Sequence, residues 1–153
     1  MDANALQQLL SMRTLLKGDL TVANLAGQDL SGCRLEDCDL SGGDLTGACL
    51  KGAHFARCSL RGARLDGLVA TCTDFTGVDF AGVSAVKADF GKSFFQSCDF
   101  SNADFSGASL VRSDCYECRF AGTNLQNADL SRWSVRATDL KTVVFANNRM
   151  EKT

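Results

Sequence analysis

The sequence contains no proline, a single histidine and little net charge. Because no backbone N–H is lost to proline in 153 residues, a continuous hydrogen-bonded ladder is favoured. The only histidine, His54, offers no Ser–His arrangement, so we expect no catalytic triad. A formal charge of −2 does not indicate a nucleic acid or membrane partner. We therefore expect no direct nucleic-acid binding and no membrane association.

The sequence also has no stretch that predicts export or membrane insertion. Its start, MDANALQQLL, has no basic leader followed by a long apolar run, and no apolar run is long enough to span a bilayer. The sequence therefore predicts a cytoplasmic protein. Eight cysteines without a secretion signal are typical of reduced thiols.

A large apolar residue recurs at every fifth position, which is neither the helix period nor the strand period. From residue 20 to residue 145 the pattern has 26 positions without an insertion, and 22 of them are Leu or Phe. We call this set the fivefold column; its four exceptions are Ala70, Ala85, Cys115 and Val135. At two places a larger residue two positions earlier, Leu68 or Val83, compensates for the small one, as a close-packed interior requires.

Two further positions repeat in the same phase. The residue two before each large one is mostly small, and residues two apart in a strand share a face. The residue two after it is often Gly or Asn, which tolerate the positive φ of a type II turn. Each five-residue unit therefore predicts a very short strand followed by a corner.

The motifs ANLAG, ADFSG and ADLSR, which repeat in one phase over residues 18–149, resemble the pentapeptide-repeat family. The resemblance implies an all-β solenoid: a right-handed quadrilateral β-helix with four pentapeptides per coil and about six and a half coils. It places the large residues along the axis of the tube, one on each side of each coil.

The two ends leave this pattern. Residues 1–17 predict a short amphipathic capping helix, with Asp2 as N-cap and Gly18 as the stop. Residues 18–149 form the predicted repeat domain, and residues 150–153 form a C-terminal tail. The apolar stripe of the predicted helix consists of Leu6, Leu9, Leu10 and Leu16.

The last coil has no comparable cap in the sequence. Its strand edges and apolar residues would face water, and such surfaces are usually covered. We therefore expect a homodimer that forms end to end through the C-terminal coils. Trp133, in a slot for small residues, suggests a local widening there. The predicted interface comprises Leu130, Trp133, Val135, Leu140, Val143, Val144 and Phe145.

The sequence predicts no enzyme, no catalytic residues, no metal site and no cofactor. Cys115 and Cys118 have redox spacing in the motif CYEC, but both fall in inward columns, where thiols are inert. Cys38 with Cys58, and Cys98 with Cys118, lie one coil apart if the resemblance holds. That separation permits a disulfide, but buried stacked thiols are the favoured interpretation.

One outward column is rich in aspartate, and we call it the acidic file. Its members are Asp19, Asp39, Asp79, Asp99 and Asp139. Some pentapeptide-repeat proteins imitate duplex DNA and bind type II topoisomerases, and a file of carboxylates resembles a file of phosphates. The alternative is that each Asp accepts hydrogen bonds from nearby turn N–H groups. Asp occupies this slot on all four sides, which favours the alternative.

Two other surfaces stand out. Phe94 and Tyr116 are outward aromatics about one coil apart on one side, and such a pair is a candidate docking point. Another face carries Lys51, Lys92, Arg112, Arg132 and Arg149 against Asp29, Asp89 and Asp129.

Two functions remain open at this point. The favoured one is a rigid, non-enzymatic protein-interaction module, a scaffold or adaptor with an unidentified protein partner. The alternative is a DNA mimic that binds and modulates DNA gyrase or topoisomerase IV, with the acidic file as its contact. Asp79→Asn with Asp99→Asn, and separately Phe94→Ser, distinguish the two.

Overall fold

A computed structural model describes residues 2–152. It contains one helix followed by seven three-residue strands that form a single parallel sheet in chain order. Within these residues, no helix is long and apolar enough to cross a bilayer. The elements are α1 (Ala3–Met12), β1 (Thr14–Leu16), β2 (Arg34–Glu36), β3 (His54–Ala56), β4 (Asp74–Thr76), β5 (Phe94–Gln96), β6 (Asp114–Tyr116) and β7 (Ser134–Arg136).

Each strand pairs with the strand that begins 20 residues later, so one coil takes 20 residues. Side 1 of the solenoid is this sheet. Three further parallel ladders of isolated bridges form side 2 (Asp19 to Arg119), side 3 (Asn24 to Val144) and side 4 (Asp29 to Arg149). The predicted all-β solenoid is confirmed, and four ladders per coil agree with the predicted quadrilateral cross-section.

The fivefold column fills the axis of the solenoid. Phenylalanine rings stack from coil to coil: the ring centroids of Phe80 and Phe100 are 4.9 Å apart, and those of Phe100 and Phe120 are 4.7 Å apart. These distances match the spacing of neighbouring strands, because each ring sits on the ring one coil below. Each fully buried Leu or Phe contributes roughly 1.5–3 kcal/mol. Leu68 and Val83 are each 1% exposed, as the predicted compensation requires.

The first helix is shorter than the sequence predicts. The Asp2 carboxylate caps its start by accepting a hydrogen bond from the N–H of Asn4, 2.9 Å away. The helix ends at Met12, and Arg13 terminates it in the left-handed conformation, so the predicted extension to residue 17 and the stop at Gly18 are wrong. Leu15, five residues before Leu20, instead enters the fivefold column in β1.

Helical periodicity is misleading here because it assigns Leu16 to the apolar stripe. In the structure Leu15 is 2% exposed while Leu16 is 56% exposed. Strand β1 buries Leu15 and also pairs its backbone with β2. Ala5 and Leu9 of α1 pack on the first coil and cover that end of the core.

The last coil opens on side 2. The ladder of this side ends at Arg119, so residue 139 does not continue it. Two threonine hydroxyls act as acceptors there: Thr138 Oγ1 lies 3.1 Å from the N–H of Cys118, and Thr142 Oγ1 lies 3.0 Å from that of Gly122. Water-accessible space of about 440 Å³ lies at this opening.

Candidate functional site

The acidic file occupies side 2 and is only partly continuous. Asp19, Asp39, Asp79 and Asp99 lie in one ladder, in which Ser59 holds the middle position. Asp139, the fifth predicted member, is displaced because the ladder ends one coil before it. The structure therefore brings together four of the five predicted carboxylates.

Each carboxylate of the file accepts a hydrogen bond from the backbone N–H two residues later. The distances are 2.9 Å for Asp39, 2.8 Å for Asp79 and 2.8 Å for Asp99. Hydrogen bonds from the hydroxyl and the N–H of Thr21 lower the pKa of Asp19. The carboxylates of the file therefore stabilise the corner that follows each of them.

The same hydrogen bond recurs on two other sides of the solenoid. Asp44 and Asp104 form it on side 3, and Asp29 and Asp129 form it on side 4. Aspartate at this slot is therefore a turn-forming residue on sides 2, 3 and 4, whereas Asp74 Oδ1, on side 1, is buried without a hydrogen-bond partner. Its presence on side 2 is not by itself a sign of a binding surface.

Arginine side chains reduce the negative charge of the file. Arg61 Nε lies 3.1 Å from a carboxylate oxygen of Asp79, and Arg119 lies 3.8 Å from one of Asp99. These pairs are exposed, so their contribution to stability is small, but each cation cancels one charge of the row.

The two candidate docking aromatics lie on side 1 in neighbouring coils. Phe94 is the first residue of β5 and pairs with Asp114, whereas Tyr116 is the last residue of β6 and pairs with Gln96. The two rings are therefore diagonal to each other. The guanidinium carbon of Arg136 lies 5.7 Å from the ring centroid of Tyr116, a cation–π distance. Phe94, at 36% exposure, is the more accessible of the two aromatics.

The predicted dimer interface is a partly exposed core. Leu130 is buried at 3% exposure, whereas Val144 and Phe145 are 44% and 40% exposed. The remaining four predicted residues are half-buried and pack against the core from its C-terminal end: Trp133, Val135, Leu140 and Val143. The indole N–H of Trp133 lies 3.3 Å from the sulfur of Cys115.

All eight cysteines are free thiols. Four of the buried ones donate to backbone carbonyls, among them Cys58 to Leu35 and Cys98 to Phe75, each at 3.4 Å. Burial, together with a hydrogen bond that the Cys98 thiol donates to the Cys118 sulfur, raises the pKa of Cys98. The buried, neutral thiol of Cys98 is therefore a packing residue. In the described part of the chain, no group of three or more His, Cys, Asp or Glu residues could hold a metal ion.

The sequence indicated the basic residues of one face but not the groove that they line. Lys51, Lys92, Arg112 and Arg132 were recognised as basic residues of one face. In the structure they line a single groove of about 610 Å³ along the corner between sides 4 and 1. The signal that could have revealed it is the replacement of corner glycines by lysine or arginine at consecutive 20-residue steps.

Together, the 20-residue coil, the four parallel ladders and the apolar axis define a repeat protein of the parallel β-solenoid class. The family described as pentapeptide repeats matches residues 19–57, 58–96 and 98–132, with eight copies. Since these segments cover more than half of the sequence, the chain belongs to the pentapeptide-repeat family. No curated protein matches it.

Solved structures of the same fold are distant in sequence. A pentapeptide-repeat protein from the thylakoid lumen of Arabidopsis thaliana is 25% identical with a TM-score of 0.50; the match covers 59% of this chain and 66% of the other, just under two thirds. Full-length QnrB1, a plasmid-mediated fluoroquinolone resistance protein, is 16% identical with a TM-score of 0.49, covering 90% and 91%. Rfr23 from the cyanobacterium Cyanothece 51142 is 15% identical with a TM-score of 0.47, covering 97% and 98%.

Proposed function

We propose that this protein is a non-enzymatic, rigid interaction module that presents flat faces to a protein partner. The observation that carries the proposal is the use of side chains in the repeat. Inward residues pack the core, and the aspartates of sides 2, 3 and 4 form turns, so the variable outward residues are the ones that remain for recognition. Phe94, an apolar ring exposed on a rigid sheet, is the docking residue of side 1 in this proposal.

Affinity capture from the cells of origin, followed by quantitative mass spectrometry, tests this proposal. Phe94→Ser should lose the principal partner. Val22→Ser is the matched control, because Val22 is a 73% exposed apolar residue that lies at the corner between sides 2 and 3, several coils before Phe94. The same partner should bind the wild-type protein and the Val22→Ser variant. Equal capture by both variants and the wild type would contradict docking at Phe94.

We also propose that the C-terminal coil forms a homodimer, as its half-covered core favours. Placing Val144 and Phe145 against a second copy would remove apolar surface from water. Light scattering at micromolar concentration should give twice the chain mass for the wild-type protein and the chain mass for Phe145→Glu. A monomeric wild-type protein would exclude this interface.

A second function, the DNA mimic that binds a type II topoisomerase, rests on the four carboxylates that share one ladder. Asp79→Asn with Asp99→Asn tests it cleanly, because asparagine keeps the turn: Asn124 accepts the N–H of Gln126 at 3.0 Å. A mimic inhibits gyrase supercoiling or protects it from ciprofloxacin, and the double variant loses that effect. Absence of any effect with the folded wild-type protein would eliminate this function.

A further inference from the structure

The corner between sides 4 and 1 departs from the rest of the solenoid. Its left-handed position is glycine in the first coils, at Gly32 and Gly52. The next four coils place Cys72, Lys92, Arg112 and Arg132 there, with φ between 56° and 57°. A side chain is disfavoured in this conformation relative to glycine. Three successive cations therefore occupy positions that the backbone would prefer to give to glycine.

No other corner of the chain has two consecutive cations at this position. The sequence places Lys17 and Arg57 at the corner before side 2, but Asp37 separates them. Lys87 stands between two glycines at its own corner, Gly67 and Gly107. The basic row is therefore a local feature of one corner and not a general property of the repeat.

A groove of about 610 Å³ runs beside this row. Its floor is formed by the residues that precede the corner, among them Thr71, Gly91 and Val111. Gly91 does not have a positive φ, so its backbone does not require glycine. A Cβ at this position would lie 3.5 Å from the carbonyl oxygen of Val111 and 3.1 Å from Asp89 Oδ1. The missing side chain deepens the groove at its centre.

The cations of the groove have no carboxylate partner of their own. Among residues 2–152, no ion pair within 4.0 Å includes Lys51, Lys92, Arg112 or Arg132. Elsewhere the corner cation Arg57 pairs with Asp37 at 2.7 Å. The groove therefore carries cations without a direct ion pair along one wall.

Two carboxylates in the groove indicate what kind of anion fits. Asp89 and Glu151 line it together with the four cations. A phosphate backbone has no hydrogen-bond donor to offer these carboxylates. An extended peptide has backbone N–H groups that can donate hydrogen bonds to Asp89 and Glu151. Its acidic side chains can at the same time reach the row of cations.

The length of the groove also suits a peptide. Lys51 and Arg132 are four coils apart, a distance of about 19 Å at ~4.8 Å per coil, which an extended chain of about six residues spans. We propose that this groove binds an extended segment of a protein partner that is rich in Asp and Glu. The inference rests on the proposed function as an interaction module and assigns one surface of it.

Fluorescence anisotropy with a labelled hexapeptide of alternating Glu and Asp tests the groove, at about 50 mM NaCl so that screening is moderate. The test variant is Lys92→Gly with Arg112→Gly. The matched control is Lys17→Gly with Lys87→Gly, because it removes two cations from left-handed positions of other corners. Both variants place glycine where the backbone tolerates it, so both keep the fold.

We expect saturable binding to the wild-type protein, at least about tenfold weaker binding to the groove variant and less than about twofold weakening in the control. Gly91→Thr should also weaken binding, because the new side chain fills the floor of the groove without changing its charge. Thr71 holds the equivalent position one coil earlier. An equal loss of peptide affinity in both double variants would mean that binding depends only on the net charge of the protein, and would overturn the proposal.

Two further outcomes overturn the proposal. One is the absence of peptide binding, and the other is tighter binding of a six-nucleotide oligothymidylate than of the peptide. The cellular capture experiment separates this inference from the proposed function. If the groove alone is wrong, the groove variant retains the captured partner; if the module function is wrong, neither the wild-type protein nor any variant captures one.

Discussion

The inner coils (residues 53–112) and the last coil (residues 133–149) follow one sequence pattern but differ in how completely they are packed. Every fivefold-column residue of the inner coils is at most 2% exposed. In the last coil Phe145 occupies the same column and is 40% exposed. The difference teaches that the repeat supplies an inward side chain, while its burial depends on the coils above and below it.

The backbone shows the same contrast. In the inner coils the N–H of Phe100 reaches the carbonyl oxygen of Arg119, one coil later, at 2.7 Å. In the last coil the side-chain oxygens of Thr138 and Thr142 accept hydrogen bonds from the N–H groups of Cys118 and Gly122. The residues near position 139 are thus held to the preceding coil by side-chain hydrogen bonds, whereas the inner coils are held to each other by backbone hydrogen bonds.

Shortening a side chain of the fivefold column should give the largest difference in stability between the inner coils and the last coil. Leu60→Ala removes a side chain that is 0% exposed, and we expect a loss of about 3–5 kcal/mol in the free energy of unfolding. Leu140→Ala, on the same side in the last coil, removes a half-buried side chain, and we expect about 1–2 kcal/mol. Urea titration of both variants measures the difference. Equal losses would mean that the last coil is as well packed as the inner ones.

Loss of a threonine acceptor should have a smaller and local effect. Thr138→Val leaves the N–H of Cys118 without its acceptor, and we expect a loss of about 0.5–1.5 kcal/mol. Amide hydrogen exchange should accelerate at Cys118. The amide of Phe100, on the same side in the inner coils, serves as the internal reference. Acceleration at both amides would indicate global destabilisation instead of a local attachment.

Acidification should have the smallest effect and act on the first coils. Hydrogen bonds from Thr21, Ser31 and Thr46 hold the pKa values of Asp19, Asp29 and Asp44 below the usual range of an aspartate. Because the folded pKa is below the unfolded one, this stabilisation is complete above about pH 4 and is lost as the pH falls through the folded values.

The urea midpoint measures this effect between about pH 5 and about pH 2.5. We expect a fall in the wild-type protein and a smaller fall in Asp44→Asn, because asparagine keeps an acceptor at that corner but does not titrate. A midpoint that rises on acidification would contradict the assignment of these turns.

Sequence reasoning predicted the inner coils well and the ends less well. Large residues at every fifth position can all point inward only in a coil whose length is a multiple of five residues. The column from residue 20 onward therefore predicted the core. Leu15 and Leu16 were ambiguous, because both a helix stripe and a first strand accommodate an apolar pair. The pairing of β1 with β2 decided between them, and that pairing involves residues 20 positions away.

The candidate surfaces divide in the same way. The acidic file followed from the 20-residue step, but the displacement of Asp139 and the ion pairs of Arg61 with Asp79 and Arg119 with Asp99 did not. They depend on side-chain conformations and on where a ladder ends. Phe94 and Tyr116 were correctly placed on one side, whereas the contact between Tyr116 and Arg136 was not foreseen.

The sequence by itself determined the repeat, the inward column and the family, because period and residue type are properties of the chain alone. The tertiary structure decided which residues share a surface. A parallel solenoid sets residues 20 apart in contact. It therefore placed Lys92, Arg112 and Arg132 beside the deepest part of the groove, at Gly91, and left Phe145 half covered. Groove depth and exposure depend on these contacts between coils.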